Sequence, residues 1–468
     1  MLRLTRDSAI YSLGAVTGKA VAIVLVPIVT RALSPDDYGR LEVLSTLGSA
    51  LVSILLLGID RAALRLAFTA ESDRRRLLAS WYALAAAIVV PPALVAVALA
   101  RPLSEAMFAS AGYTLAVASV GAVVALGTFQ FLALAVLRAD RRPVAYAALS
   151  GGGLVLNAAL VAALVLTTGA TVGGVLAAYA VSLLVGAVVG VFLVRDSIRA
   201  RPSLAFARRL LLLGLPLAPT VAAIWLAELA NRAILLGTAG AAEVGFLGLG
   251  LRFASIASLA VGGLQLAWEP HAYAAGSSSA ALARLANDAR RALIGVATVV
   301  VAIALTGPEL IGALSGPAYL PALPALGAAL VAALAAALFV VTTTPSLLAG
   351  AMRDVGIASL AGSAMVVAGT LALAGPLGAA GAAAGLAFGQ LAAALVAAWS
   401  GRRHPGLPVA WARTGTLLML AAAVAVLATT LGSGPVERLA LGLAFAAALY
   451  LEGSLASLVR RPFGRIRA

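Results

Sequence analysis

Apolar runs of about 20 residues recur along the whole chain and are separated by short polar segments. A run of this length, wound as an α-helix, crosses the roughly 30 Å hydrocarbon core of a bilayer. The pattern therefore predicts an all-α polytopic membrane protein with about 14 transmembrane helices. The predicted spans are residues 9–30, 41–59, 78–99, 114–137, 144–167, 173–194, 210–236, 244–267, 292–314, 323–348, 356–375, 377–399, 414–431 and 438–458.

The composition agrees with lipid as the main solvent of this chain. Of its 468 residues, 62% are hydrophobic and 11% are charged, whereas a soluble domain carries about 25% charged residues. The chain has no cysteine, which excludes disulfides, thiolate metal sites and a cysteine nucleophile. With two histidines besides, we expect neither a metal site nor a cofactor.

The arginines predict the orientation in the membrane. If the N-terminus is cytoplasmic, 26 arginines fall on the cytoplasmic side and 4 on the opposite side. This asymmetry follows the positive-inside rule and predicts an even number of spans with both termini in the cytoplasm. The net charge of +15 is then explained by topology, and no nucleic-acid partner is expected.

Two similar segments indicate an internal repeat. Gly39 and Gly245 open similar stretches 206 residues apart, and Gly174 and Gly381 do so 207 residues apart. A duplicated six-span unit inserts the same way up twice, which predicts two lobes in a parallel pseudo-twofold repeat with the substrate path between them. The predicted domains are an N-terminal lobe (1–200, spans 1–6), a C-terminal lobe (201–405, spans 7–12) and an addition (406–468, spans 13–14 with a basic cytoplasmic tail).

Basic residues within or beside the spans are the candidate substrate-binding groups. Lys19, the only lysine of the chain, lies near the middle of the first span, and Arg252 lies about a third of the way into the eighth. A charge at mid-depth costs about 3 kcal/mol and usually faces a water-filled cavity, although a packing or hydration role for Lys19 stays open. Arg61 and Arg65, at the inner end of the second span, either extend this ladder of positive charge or hold the membrane interface.

Acidic and amide groups are the candidates for gating or ion coupling. In the seventh span these are Glu228 and Asn231 with Arg232, which the span limits place near the outer surface. Glu228 and Arg232 are four residues apart and share a helix face. They either form a contact that holds the two lobes together or an ion pair at the membrane interface. Asp60 and Glu269 stand at the inner ends of two spans.

The chain carries no motif of a soluble catalytic site. It has no P-loop, HExxH or GxSxG sequence, and every loop is too short for a catalytic domain. We therefore expect no catalytic residues, no enzymatic activity and no ATP-driven pump within the chain.

The opening segment "YSLGAVTGKAVAIVLVPIVTRALSPDDYGRLEVLSTLGSALVSILLLGIDRAALR" resembles the polysaccharide and oligosaccharide flippases. These form the Wzx-type branch of the multidrug/oligosaccharidyl-lipid/polysaccharide exporter superfamily. The segment "AAEVGFLGLGLRFASI" with the later "WEP" is similar to the second-half counterpart, so that the likeness covers spans 1–12.

The resemblance implies transport of a polyprenyl-pyrophosphate-linked oligosaccharide from the inner to the outer leaflet of a bacterial plasma (inner) membrane, by alternating access around a cationic cavity. The product serves cell-surface polysaccharides such as O-antigen or exopolysaccharide. Expected partners are this lipid-linked sugar, membrane lipids, a polysaccharide polymerase and glycosyltransferases. Two alternatives stay open: a cation-coupled multidrug antiporter of the same superfamily, and a non-transporting scaffold for glycosyltransferases.

Overall fold

The computed structural model describes residues 24–69, 73–275, 278–404, 406–431 and 434–451. Regular structure in these ranges is helical, as the sequence predicts. Three short 3-10 turns at Ala111–Tyr113, Leu215–Leu217 and Pro317–Ala322 join α-helices. The α-helices are α1 (residues 24–32), α2 (Pro35–Leu55), α3 (Ile59–Thr69), α4 (Arg74–Ala98), α5 (Ala100–Phe108), α6 (Thr114–Ala139), α7 (Pro143–Thr168), α8 (Val172–Ile198), α9 (Leu204–Gly214), α10 (Ala218–Ala239), α11 (Ala241–Ala275), α12 (Ser279–Ser315), α13 (Leu323–Thr342), α14 (Thr344–Leu348), α15 (Met352–Gly401), α16 (Trp411–Thr430) and α17 (Pro435–Leu451).

Among the described residues, ten helical segments are long and apolar enough to cross a membrane. The count becomes eleven if α2 and α3, bent by 52° at their junction, form one span. Helix α15, with 50 residues, is too long for a single crossing, and its backbone leaves helical geometry at Gly378 (φ 55°, ψ −133°). The predicted spans 356–375 and 377–399 are divided at Pro376, two residues before this break. The total of fourteen stays a prediction, because the first and last predicted spans extend beyond the described residues.

The chain divides into two compact units, unit 1 (Met1–Leu229) and unit 2 (Ala230–Ala468). In unit 1 the central helix is α6, which packs against α2, α4 and α8. Short α3 and α9 close one end of this unit over a buried cluster that includes Trp81, Leu132 and Leu210. The predicted lobe limits at 200/201 and 405/406 stay predictions.

Unit 2 is built in the same way around α13, which packs against α11, α12 and α15. The two added helices belong to this unit, since α16 packs against α12 and α13 and α17 against α16 and α12. The contact is close: a Cβ at Gly327 would overlap the Thr429 hydroxyl. Small residues allow such contacts between helices, where packing rather than the hydrophobic effect drives association in lipid.

The predicted seventh span, 210–236, is wrong at its start. Residues 204–214 form the separate helix α9, and the crossing helix α10 begins only at Ala218. Pro216 lies in the 3-10 turn between them, where its missing N–H and its ring prevent a continuous helix. Gly214 also lies against the start of α3, where a Cβ would be 2.9 Å from the Ile59 nitrogen.

Candidate functional site

Helix α3 carries three of the predicted site residues. Its apolar side packs into the buried cluster around Trp81, so Arg61 and Arg65 lie on its exposed side. Asp60 is half-buried in the first turn, where a carboxylate is favoured by the helix dipole. Arg65 already has an interaction partner. The structure therefore brings these residues together on a short amphipathic helix set at 52° to α2.

Helix α10 carries the second predicted group, and its position corrects the predicted depth. Because α10 begins at Ala218, Glu228 lies about 15 Å along it at 1.5 Å per residue, near the middle of the helix rather than near the outer surface. Glu228 is half-buried and Arg232 is buried, and each takes part in an interaction.

Asn231 is 0% exposed and ties α10 to both halves of α15. Its Nδ2 donates to the Thr370 hydroxyl oxygen at 2.7 Å and to the Ala382 carbonyl oxygen at 2.9 Å. Thr370 precedes the break at Gly378 and Ala382 follows it. The Asn231 side chain thus bonds to both halves of α15 and holds them beside α10.

Helix α11 carries Arg252 and Glu269 at different depths. Arg252 is half-buried in the first half of the helix and has an interaction partner. Glu269 is exposed beside Trp268, whose indole Nε1 donates to the buried Thr344 hydroxyl at 2.8 Å. A site shared by the two units stays a prediction, and Lys19 lies outside the described residues.

Among the residues that the structure describes, no group of three or more His, Asp or Glu side chains is arranged to hold a metal ion. The polar groups that these residues do bring together are hydroxyls, carboxylates and guanidinium groups. Such groups suit binding of a charged or hydroxylated ligand.

A polar cluster that the hydropathy pattern did not predict lies at the start of α2. Asp37 Oδ1 accepts hydrogen bonds from the Tyr113 hydroxyl at 2.9 Å and from Arg40 Nη1 at 3.2 Å. The Arg40 guanidinium also lies 4.9 Å from the centre of the Tyr113 ring. Glu42, one turn further along α2, is buried and has an interaction partner. Asp37 and Tyr113 are distant in sequence, so the hydropathy pattern could not predict their contact.

A second unpredicted contact lies at the start of α11. The Glu243 carboxylate accepts a hydrogen bond from the backbone N–H of Ala379 at 2.6 Å. Ala379 follows Gly378, so this N–H is one of the groups left without an intrahelical partner at the break of α15. Glu243 therefore caps the second half of α15 from a different helix.

Comparison with known proteins identifies the family. The sequence matches the profile described as "Polysaccharide biosynthesis protein" over residues 4–270, which is more than half of the chain. This protein therefore belongs to the polysaccharide biosynthesis protein family, as the resemblance of its opening segment predicts. Among curated proteins no match is found.

Solved structures share the fold. The lipid II flippase MurJ in an inward closed conformation matches 97% of this chain and 100% of its own, with a TM-score of 0.73 and 11% identity. An inward-facing multidrug resistance MATE transporter of the MOP superfamily matches 83% and 94%, with a TM-score of 0.66 and 16% identity. A MOP superfamily transporter from Pyrococcus furiosus matches 86% and 93%, with a TM-score of 0.54 and 16% identity. At these identities the likeness shows the fold alone, and this chain shares the fold of these three structures.

Proposed function

We propose that this protein is a flippase that moves a polyprenyl-pyrophosphate-linked oligosaccharide from the inner to the outer leaflet of a bacterial plasma membrane. The transported sugar serves the assembly of a cell-surface polysaccharide such as O-antigen or exopolysaccharide. The observation that carries the proposal is the family match over residues 4–270, which links a many-spanning membrane chain to polysaccharide biosynthesis. The fold shared with a lipid II flippase supports it.

The charged residues of the spans fit this cargo. A pyrophosphate carries several negative charges and cannot enter hydrocarbon without compensation. In the proposal, Lys19 and Arg252 receive it, since an ammonium acts as a point charge and a guanidinium binds phosphate oxygens in pairs. Arg61 and Arg65 on α3 attract the head group at the arginine-rich end. The polyprenyl tail stays in lipid while the head group crosses.

The acidic groups are assigned to the conformational cycle. Glu228 and Arg232 are charged groups near the middle of α10, and Asn231 of the same helix holds both halves of α15. In the proposal these three residues, with Asp60 and Glu269, serve gating or ion coupling. Glycosyltransferases act on the lipid-linked sugar before its transport, and a polymerase acts on it afterwards.

The proposal is tested with the purified full chain in phosphatidylcholine proteoliposomes that contain a polyprenyl-pyrophosphate-linked oligosaccharide with a dithionite-sensitive fluorophore on its sugar. Without transport, dithionite added outside bleaches only the outer half of the fluorophore. We expect protein-dependent bleaching beyond that half. Vesicles that contain a MOP-fold multidrug antiporter are the matched control.

Two other outcomes contradict the proposal. Bleaching that stops at half, together with proton- or sodium-driven uptake of a cationic dye, would favour the antiporter. Neither activity, with retention of glycosyltransferases from the same membrane, would favour the scaffold.

A further inference from the structure

A cavity of about 1060 Å³ lies within unit 1 where α4 begins and where α6 and α8 end. Because these three helices are membrane-spanning, their ends lie at the level of the lipid head groups. The positive-inside rule places this end in the cytoplasm. The cavity is lined by six arginines: Arg74, Arg75, Arg76, Arg141, Arg142 and Arg201.

Two of these arginines build the wall of the cavity. Arg74 forms an ion pair with Asp140 at 2.6 Å, and the Ser197 hydroxyl donates to the other Asp140 oxygen at 2.8 Å. Arg142 donates to the Leu193 carbonyl oxygen at 2.7 Å. These bonds join the start of α4 and the end of α6 to the end of α8, so the wall is formed before any ligand arrives.

The other four arginines supply the surplus charge. Arg75, Arg76, Arg141 and Arg201 are exposed and have no ion-pair or hydrogen-bond partner for their guanidinium groups among the described residues. The cavity also contains three aspartates, of which Asp140 is already paired, so that positive charge prevails. The N-cap residue of α4 makes no side-chain cap bond, and the free first-turn N–H groups add to the positive potential.

The backbone at Arg141 places an arginine where a glycine would fit with less strain. Arg141 has φ 55°, and two bonds close the turn around it, from Arg141 N to the Arg138 oxygen and from Arg142 N to the Leu137 oxygen. This is the helix C-terminal motif in which glycine normally occupies the left-handed position. The corresponding turn of unit 2, between α14 and α15, has the same two bonds and does have a glycine, Gly350, with φ 70°. The fold therefore does not require an arginine at this turn.

We propose that this cavity binds a phosphate-bearing lipid head group from the leaflet at the arginine-rich end. The cavity lies at the level of the lipid head groups, which favours a lipid over a soluble anion. Its guanidinium groups suit phosphate oxygens. Two sources share this chemistry: a resident anionic phospholipid, and the pyrophosphate of a lipid-linked cargo. The phospholipid case is independent of the proposed transport function.

The test is native mass spectrometry of the purified full chain with three probes: phosphatidylglycerol, a sugar-free polyprenyl pyrophosphate and phosphatidylcholine. We expect retention of one or both anionic lipids over phosphatidylcholine. Arg141→Gly should weaken that retention about fivefold, the effect expected for one basic group near a lipid surface, and Arg141→Lys should restore part of it. Arg413→Gln, which removes an exposed arginine of α16, should have no effect.

The melting temperature without added lipid separates binding from folding. Arg141→Gly should melt at the parental temperature or higher, because glycine fits the left-handed position. Retention of phosphatidylglycerol identifies a resident phospholipid, and retention of polyprenyl pyrophosphate alone identifies the cargo. Equal retention of all three probes, or parental retention by an Arg75→Gln, Arg76→Gln, Arg141→Gly triple variant, would overturn the proposal. None of these results depends on transport.

Discussion

The two units place related residues, an acid before their second predicted spans and a tyrosine before their fourth, but use them differently. Asp37 and Tyr113 of unit 1 correspond, 206 residues on, to Glu243 and Tyr319 of unit 2. In unit 1 the acid bonds to Tyr113. In unit 2 Tyr319 is buried against Phe246, with ring centres 6.3 Å apart, and the acid bonds instead to the backbone of α15.

The reason for the difference lies at the start of the last helix of each repeat. In unit 1, Thr171 caps α8, since its hydroxyl accepts from the Gly174 N–H at 3.0 Å. The residue 207 positions later is Gly378, which has no side chain with which to cap a helix. Glu243 therefore supplies the missing acceptor from α11. The comparison teaches that two corresponding helix starts share the need for a cap but not the residue that meets it.

The largest effect is expected at Gly381, which aligns with Gly174 in the predicted repeat but has different surroundings. A Cβ at Gly381 would overlap the carbonyl oxygen of Leu373, which as backbone cannot rotate away. Gly381→Ala should destabilise the protein by about 3 kcal/mol or prevent its accumulation. At Gly174 the obstacle is the flexible end of Leu164 at 2.7 Å, so Gly174→Ala should cost less.

Thermal unfolding in detergent measures both glycine variants. Gly375→Ala is the control, because nothing lies within 4 Å of a Cβ there. Equal melting temperatures for Gly381→Ala and Gly174→Ala would show that the packing difference between the two units has no energetic consequence.

A smaller effect is expected from the two caps. Thr171→Ala and Glu243→Ala should each cost about 1 kcal/mol, the usual value of a lost helix cap. Glu243→Gln should cost less, because an amide oxygen still accepts the Ala379 N–H. Hydrogen exchange at the starts of α8 and of the second half of α15 should rise locally in the matching variant. Protection of the second half of α15 that is unchanged in Glu243→Ala would contradict the assignment of this cap.

An effect of similar size to that of the caps, but of opposite sign in the two units, concerns the left-handed turns at the arginine-rich ends. Arg141→Gly should stabilise the protein by about 1 kcal/mol and Gly350→Arg should destabilise it by a similar amount, since a side chain at positive φ is strained. Melting temperatures that shift in opposite directions are the expected result. A loss of stability in Arg141→Gly would mean that the arginine side chain itself supports the fold.

Hydropathy predicted most crossing helices closely. The predicted span 114–137 is α6 (Thr114–Ala139) and 144–167 is α7 (Pro143–Thr168), because long apolar runs between charged ends have one solution in a bilayer. The division of α15 beside Pro376 was also visible. The start of the seventh span was not, since residues 210–215 are as apolar as the helix that follows.

The polar contacts could not be predicted from the sequence, for a different reason. Glu243 and Ala379, or Asp37 and Tyr113, are far apart along the chain, and a hydropathy window contains no information about which distant residue meets which. Charged residues within a predicted span, such as Arg252 and Glu228, were found because a charge inside the membrane costs free energy. Their roles as substrate-binding or coupling groups stay predictions.

The central claim, that cationic residues within the spans carry the pyrophosphate, is tested most directly by transport in a substitution series at Lys19 and Arg252. In the dithionite assay, Lys19→Ala and Arg252→Ala should each lower the rate about tenfold or more, the value of a lost charged hydrogen bond, while their amounts in the membrane stay at the parental level. Lys19→Arg should retain part of the rate, and Arg413→Ala should retain all of it. Transport at the parental rate by Lys19→Ala and Arg252→Ala would contradict the claim.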